Sequence, residues 1–140
     1  MGRVGKKHFC LVLVKPSHYD DDGYVIQWLR SPIPSTSLAA LYGLARDCAE
    51  RRVLGPDVEI DVHAFDETNT CIRCDRLAAM IRVAGAGMVM LVGVQSNQFP
   101  RALDLAKALR ERDIPVAIGG FHVSGTLSML DGADADLMPI

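Results

Sequence analysis

Three short segments of the chain combine side chains that bind ligands with glycines that let a ligand approach the backbone. The first contains a histidine, the second a serine and an asparagine, and the third a pair of glycines followed by a histidine. Imidazole nitrogens bind metals, whereas hydroxyl and amide groups bind polar ligands through hydrogen bonds. The candidate binding residues are Ser17, His18, Tyr19, Gly93, Val94, Gln95, Ser96, Asn97, Gly119, Gly120, Phe121 and His122.

Each of these segments lies at the end of an apolar run that predicts a β-strand. Residues 9–14 (FCLVLV) and 88–94 (MVMLVGV) are continuously apolar, which is typical of strands buried on both faces. Residues 115–118 supply a short further strand. Residues 58–64 instead alternate between apolar and polar side chains, and this pattern predicts a strand at the edge of a sheet.

Amphipathic helices are predicted between these strands. The first begins near Ser37, the second follows Thr70, and the third has Pro100 in its first turn. Alternating strands and helices form right-handed crossovers that cover both faces of a parallel sheet. The sequence therefore predicts an α/β fold, a flavodoxin-like or Rossmann-like doubly wound parallel sheet in three layers with strand order 2-1-3-4(-5), as a single domain over residues 1–140.

The composition excludes several classes of protein. The 140 residues are 49% hydrophobic and 23% charged, which is the balance of a globular domain. A net charge of −2 without a basic stripe argues against a nucleic-acid partner. No apolar run approaches the roughly 20 residues of a membrane span, and no signal-like cleavage region is present. We therefore predict a cytoplasmic protein with no membrane partner, whose four cysteines are reduced.

The connection after the first strand lacks the common nucleotide-binding motifs. It runs from Lys15 to about Thr36 and includes Tyr19, Tyr24 and Trp28. This is much longer than the roughly 2–6 residues of an ordinary strand-to-helix loop, and long loops are commonly functional. Neither G-x-G-x-x-G nor G-x-x-x-x-G-K-[ST] follows the strand, which argues against NAD and nucleoside triphosphates.

Taken together, the three segments resemble the cobalamin-binding domain family. The phrases KPSHYDDDGY, GVQSNQFPRALDLAKAL and IGGFHVSG look like the cobalamin-binding part of radical S-adenosylmethionine proteins, and the resemblance spans roughly the whole chain. It implies that cobalamin binds over the ends of the first, third and fourth strands, with Phe121 and His122 lining the wall of the pocket. It also implies that His18 is the lower axial ligand of the cobalt.

The chain departs from the family pattern in two of its motifs. Pro16 stands in place of the family's aspartate and Asp21 in place of its glycine, while Asn97 and Gln98 replace the end of the Ser-x-Leu motif. The affinity and tautomer of a ligating imidazole depend on a hydrogen-bond acceptor behind it. Without the aspartate, we expect His18 to contribute little to cobalamin affinity.

The cysteines do not provide for radical chemistry within this chain. The iron–sulfur cluster of that enzyme class needs a Cys-x-x-x-Cys-x-x-Cys loop, a spacing that Cys10, Cys48, Cys71 and Cys74 do not have. The resemblance therefore implies that the iron–sulfur cluster and S-adenosylmethionine belong to a catalytic domain that acts in cis or in trans. Residues 131–140 are barely enough for the family's fifth strand, so we expect the chain to stop before that domain.

Two other functions stay open on the sequence alone. The same fold can serve as a cobalamin-free scaffold beside a catalytic partner, or as a flavodoxin-like protein with a reactive thiol at Cys71. For the Cys71-x-x-Cys74 pair we favour core packing of Cys74, since no second pair of ligands stands at zinc spacing. For the run of three aspartates that ends at Asp22, we favour a solvated turn before Gly23 over a cation site.

Overall fold

The four apolar runs form one parallel β-sheet in a computed structural model of the chain, which describes residues 6–27 and 35–130. Within these residues, four helices connect or follow the strands. The elements are β1 (Lys7–Lys15), α1 (Thr36–Glu50), β2 (Val58–Asp66), α2 (Cys74–Ala84), β3 (Gly87–Leu91), α3 (Phe99–Arg110), β4 (Val116–Ile118) and α4 (Phe121–Met129).

The strand order is β2-β1-β3-β4, and every pair of neighbouring strands is parallel. This order confirms the predicted doubly wound, flavodoxin-like α/β fold. It also places β2 at an edge of the sheet, as its alternating pattern predicted, with β1 and β3 in the centre. Residues 131–140, which were judged barely enough for the family's fifth strand, and the loop residue Trp28 lie outside the described residues.

Helices cover both faces of the sheet, so the core has two parts. On one face, Leu77 of α2 and Leu105 of α3 belong to the same buried cluster as Val12 and Val89 of the sheet. On the other face, α1 packs against a smaller cluster centred on Leu13 and Val92. Among the described helices, none is both long and apolar enough to cross a membrane.

The helices differ from the predictions in two ways that bear on the site: α1 begins earlier, and one helix was not predicted at all. Ser35, rather than Ser37, caps α1, because its Oγ accepts a hydrogen bond of 3.2 Å from the amide of Leu38. The helix α4 was not predicted, since its sequence FHVSGTLSM has no apolar stripe and contains Gly125. The end of β4 therefore leads directly into a helix instead of a loop.

Candidate functional site

The carboxyl ends of β3 and β4 interlock through their backbones. The amide of Val94 donates to the carbonyl of Gly119 at 3.0 Å, and the amide of His122 donates to the carbonyl of Val94 at 3.1 Å. These bonds extend the contact between the two strands beyond Leu91 and Ile118, where the ladder ends. Two of the three predicted segments are thus joined into one rigid edge.

The two glycines after β4 have different roles. Gly120 has a φ of +139°, and a Cβ added there would lie 2.3 Å from the amide nitrogen of Val94. Its lack of a side chain is therefore required by the contact between backbones. Gly119 has an ordinary φ, and a Cβ added there would meet nothing within 4 Å. Only Gly119 of the pair faces open space, so only a substitution at Gly119 can test ligand binding without disturbing the contact between the backbones.

An open groove lies beside Gly119, between α1 and the ends of β3 and β4. This α1 groove has a volume of about 420 Å³. Its lining residues are Ser37, Ala40, Leu41, Met90, Leu91, Val92, Gly93, Ala117, Ile118, Gly119 and Gly120. A second cavity of about 350 Å³, lined almost entirely by apolar side chains, shares Leu41 and Met90 with it. The α1 groove therefore offers glycine backbone at its mouth and apolar surface behind.

Lys15 fastens the end of β1 to the loop after β3. Its Nζ donates to the carbonyl of Gly93 at 2.8 Å and also to Oε1 of Gln98. Burial lowers the pKa of the Lys15 ammonium from its ordinary value, and the nearby Asp66 carboxylate opposes that shift. Lys15 was not predicted as a site residue, although its position at the end of a central strand was a usable signal.

The loop after β1 folds down onto the domain and is anchored at Ser17. The amide of Ser17 donates to Oε1 of Glu67 at 3.0 Å, and its hydroxyl donates to the carbonyl of Ile26 at 2.6 Å. Ser17 is fully buried. Its polar groups are therefore used inside the protein and do not reach a ligand.

A buried ion pair underlies this anchor. Glu67, which is 1% exposed, accepts hydrogen bonds from Arg101 on α3, the shortest being 2.7 Å between Nη2 and Oε2. Arg101 also lies over the ring of Tyr19, whose hydroxyl donates to Asp104. Burial acts to lower the pKa of Arg101, but its bonds to Glu67 and Tyr19 outweigh this and raise it. We call Ser17, Tyr19, Glu67, Arg101 and Asp104 the Glu67 cluster.

His18 belongs neither to the Glu67 cluster nor to the lining of the α1 groove. Its backbone carbonyl accepts a hydrogen bond from the amide of Ile26, and its side chain is half-buried. The following turn is closed by Asp20, whose Oδ1 accepts from the amides of Asp22 and Tyr24 at 2.9 Å each. Asp20 thus forms the solvated turn that was favoured from the sequence. His18 is not among the residues that line the α1 groove.

The remaining predicted residues surround the start of α4. His122 stacks on Phe99 with ring centroids 4.1 Å apart, and its Nδ1 lies 3.1 Å from the hydroxyl of Ser96. Phe121 is 79% exposed. Neither Phe121 nor His122 lines the α1 groove, because the unpredicted helix α4 carries them elsewhere. Gln95 and Asn97 are exposed, and α3 begins after Gln98 without a side-chain cap, so Ser96 and Asn97 do not cap it.

The cysteine pair is divided between surface and core. Cys71 is exposed, whereas Cys74 is half-buried and packs against the larger core cluster. Burial raises the pKa of the Cys74 thiol. Helix α2 begins at Cys74, so Cys71 stands three residues before it rather than in its first turn.

A metal centre can be sought only among residues 6–27 and 35–130. Within them, no group of three or more His, Cys, Asp or Glu side chains could hold a metal ion.

Comparisons with known protein families, curated proteins and solved structures find no match for this chain. Any function must therefore be argued from the site itself.

Proposed function

We propose that this domain is a cobalamin-binding module that serves a radical S-adenosylmethionine enzyme, with the methyl transfer or related radical reaction carried out by another domain. The observation that carries the proposal is the α1 groove, which opens at the carboxyl ends of the two adjacent strands β3 and β4. Ligands of doubly wound sheets bind beyond these strand ends. The proposal also depends on the resemblance of the three strand-end segments to the cobalamin-binding family.

The residues of the α1 groove fit the nucleotide tail of a cobalamin. The open space over Gly119 lets a flat group approach the strand ends, and Ser37 supplies a hydroxyl in the lining of the same groove. The apolar cavity that shares Leu41 and Met90 suits the aromatic base at the end of the tail. When bound, cobalamin would supply a cobalt centre for methyl transfer.

His18 is the residue that would contact the cobalt from this chain. The family has an aspartate two residues before this histidine, and here that position is Pro16. Pro16 is fully buried and has no side-chain acceptor to offer the imidazole. We therefore assign the affinity for cobalamin to the α1 groove rather than to cobalt ligation.

The Glu67 cluster favours the cobalamin-free scaffold as the second candidate. Among the described residues, its buried polar side-chain atoms all have protein partners, including the carbonyl of Ile26, so residues 17–26 after β1 are held in place without a ligand. A corrin-binding loop that is already closed by its own side chains is what a scaffold for a catalytic partner would retain. The experiment that separates the two candidates is retention of cobalamin.

The test is gel filtration of the purified protein with hydroxocobalamin at concentrations well above micromolar. We expect the corrin absorbance to elute with the protein, and we expect a corrinoid without the nucleotide tail to be retained less. Corrin that elutes entirely apart from the protein would refute the cofactor proposal and leave the scaffold.

The groove itself is tested by Gly119→Leu, which fills space that is open in the structure. Gly43→Leu is the matched control, because Gly43 is exposed on α1, away from the groove, and also has no neighbour within 4 Å of an added Cβ. We expect Gly119→Leu to abolish retention while its unfolding free energy stays within about 0.5 kcal/mol of wild type. Gly43→Leu should preserve retention and raise the unfolding free energy by up to about 1 kcal/mol, because Gly43 lies inside helix α1. Equal retention by both variants would place the ligand outside the α1 groove.

A further inference from the structure

The edge strand β2 is unusually open to pairing with another strand. It spans nine residues, pairs one-to-one with β1 without a bulge, and contains neither proline nor lysine. Proteins commonly protect edge strands with bulges, prolines or lysines, or keep these strands short. The strand at the opposite described edge, β4, has only three residues. Within the described part of the chain, β1 is the only strand that pairs with β2.

Grooves flank β2 on both faces of the sheet. On the face of α2, a groove of about 820 Å³ exposes Asp61 and His63. On the face of α1, a groove of about 360 Å³ lies between the helix and the strand, with Tyr42 and Ala64 in its lining. Neither helix therefore extends past the edge to block a strand that approaches it.

The backbone groups that point away from β1 can be identified from the two ends of the ladder. Asp57 accepts a hydrogen bond from the amide of Lys7, and Glu67 donates one to the carbonyl of Lys15, both at 3.0 Å. In a parallel pair, alternate residues of a strand bond to the same neighbour. The odd-numbered residues of β2 thus face β1. The even-numbered residues point outward, and the N–H and C=O groups of Ile60, Val62 and Ala64 have no partner among the described residues. At the two ends of the strand, the amide of Val58 already donates to the carbonyl of Gly55, and the carbonyl of Asp66 accepts from the amide of Asn69, both at 3.2 Å.

We propose that β2 pairs with β2 of a second copy of this chain, antiparallel and centred on Val62, to make a homodimer with a continuous eight-stranded sheet. A two-fold axis through Val62 brings Ile60 opposite Ala64 of the second copy. Ile60, Val62 and Ala64 then exchange hydrogen bonds with Ala64, Val62 and Ile60 of the second copy, so the central outward-facing residues of both strands are all paired.

The side chains select this register. With the axis at Val62, each Asp61 lies directly opposite His63 of the second copy, in the non-hydrogen-bonded pairs where side chains are closest. Moving the axis by one residue sets Asp61 against Asp61, where two carboxylates repel, or His63 against His63, where neither imidazole has a carboxylate opposite it. His8 Nδ1 lies 3.1 Å from Oδ2 of Asp61, which leaves the other carboxylate oxygen for the second copy.

The test is the mass of the protein in solution, measured by sedimentation equilibrium over a range of concentrations. We expect the wild type to form a dimer of twice 15.2 kDa, about 30 kDa. His63→Glu places a second carboxylate opposite Asp61 at two symmetric positions, so we expect the dimer dissociation constant to rise by at least about tenfold. Lys107→Glu, an exposed change on α3 remote from β2, is the control and should leave the dimer intact.

A charge-swapped variant distinguishes loss of pairing from loss of folding. Asp61→Lys combined with His63→Glu recreates two opposite-charge pairs across the same axis, so we expect it to restore the dimer. A wild type that stays monomeric at every concentration would overturn the proposal. A dimer that is unaffected by His63→Glu, or a swapped variant that is folded but monomeric, would overturn it as well.

Discussion

The Glu67 cluster and the α1 groove both lie where the parallel strands end, and they differ in whether the space there is filled by the protein's own side chains. In the Glu67 cluster, Arg101 binds both the Glu67 carboxylate and the Tyr19 hydroxyl, and Glu67 accepts from the amide of Ser17, so the described start of the loop after β1 is held in place. In the α1 groove, the backbone at Gly119 faces open space. The Glu67 cluster thus fills its part of the strand ends without a ligand, and the α1 groove has room for one. A strand end in a doubly wound sheet is therefore a candidate site only where the protein has not already filled it.

Removing the carboxylate of Glu67 is the strongest way to break this contrast. Glu67→Ala leaves the Arg101 guanidinium, which is 19% exposed, without its ion-pair partner and frees the amide of Ser17. We expect the unfolding free energy, measured by urea denaturation, to fall by about 3 kcal/mol, as is typical when one partner of a buried pair is lost. The control is Asp47→Ala, which removes an exposed pair with Arg51 and should cost less than about 1 kcal/mol. Similar losses in the two variants would contradict a structural role for the cluster.

Gly120 tests whether the groove's rim is rigid. In Gly120→Ala the new Cβ meets the backbone of Val94 at a φ of +139°, so we expect a loss of about 1–3 kcal/mol in thermal or urea unfolding. Gly119→Ala, one residue earlier, should change stability by less than about 0.5 kcal/mol. If the two alanine variants are equally stable, the contact between the ends of β3 and β4 is looser than described.

The rate at which Cys74 is alkylated tests how firmly the region around the Glu67 cluster is packed. Cys74 lies at the start of α2, and burial raises the pKa of its thiol, so little thiolate is present near neutral pH. We expect slow alkylation of Cys74 in the native protein, while exposed Cys71 serves as the internal control. In Glu67→Ala the labelling of Cys74 should become faster as this region opens. Fast labelling of Cys74 in the wild type would instead favour a thiol function.

The smallest expected effect is at His18. Because the family's aspartate is absent and His18 does not line the α1 groove, we expect His18→Ala to change cobalamin affinity by less than about threefold. The measurement is a spectroscopic titration with hydroxocobalamin. A shift of the absorbance spectrum between histidine-bound and histidine-free cobalt on substitution would show that His18 is a true ligand.

The sheet was predictable because burial produces local patterns in the sequence. Continuous apolar runs identified β1 and β3 as central strands, and alternation identified β2 as an edge. The Glu67 cluster was not predictable, because Glu67 and Arg101 lie in a loop and a helix whose approach depends on the folded sheet. Helix α4 was missed because its short sequence has no apolar stripe. Phe121 and His122 lie in this helix and do not line the α1 groove.

Because β1 precedes the other described strands in the chain and lies inside the sheet, it is synthesised before both of its neighbours. Cys10 pairs with Gly87, which is 77 residues later in the chain (87 minus 10). At about 5–20 residues per second of synthesis, the interval is roughly 4–15 s. During that interval β1 lacks its neighbouring strand β3, so one side of β1 is unpaired. Nascent chains interrupted between β2 and β3 are therefore the ones most exposed to aggregation, and chaperones have the most to protect at that length.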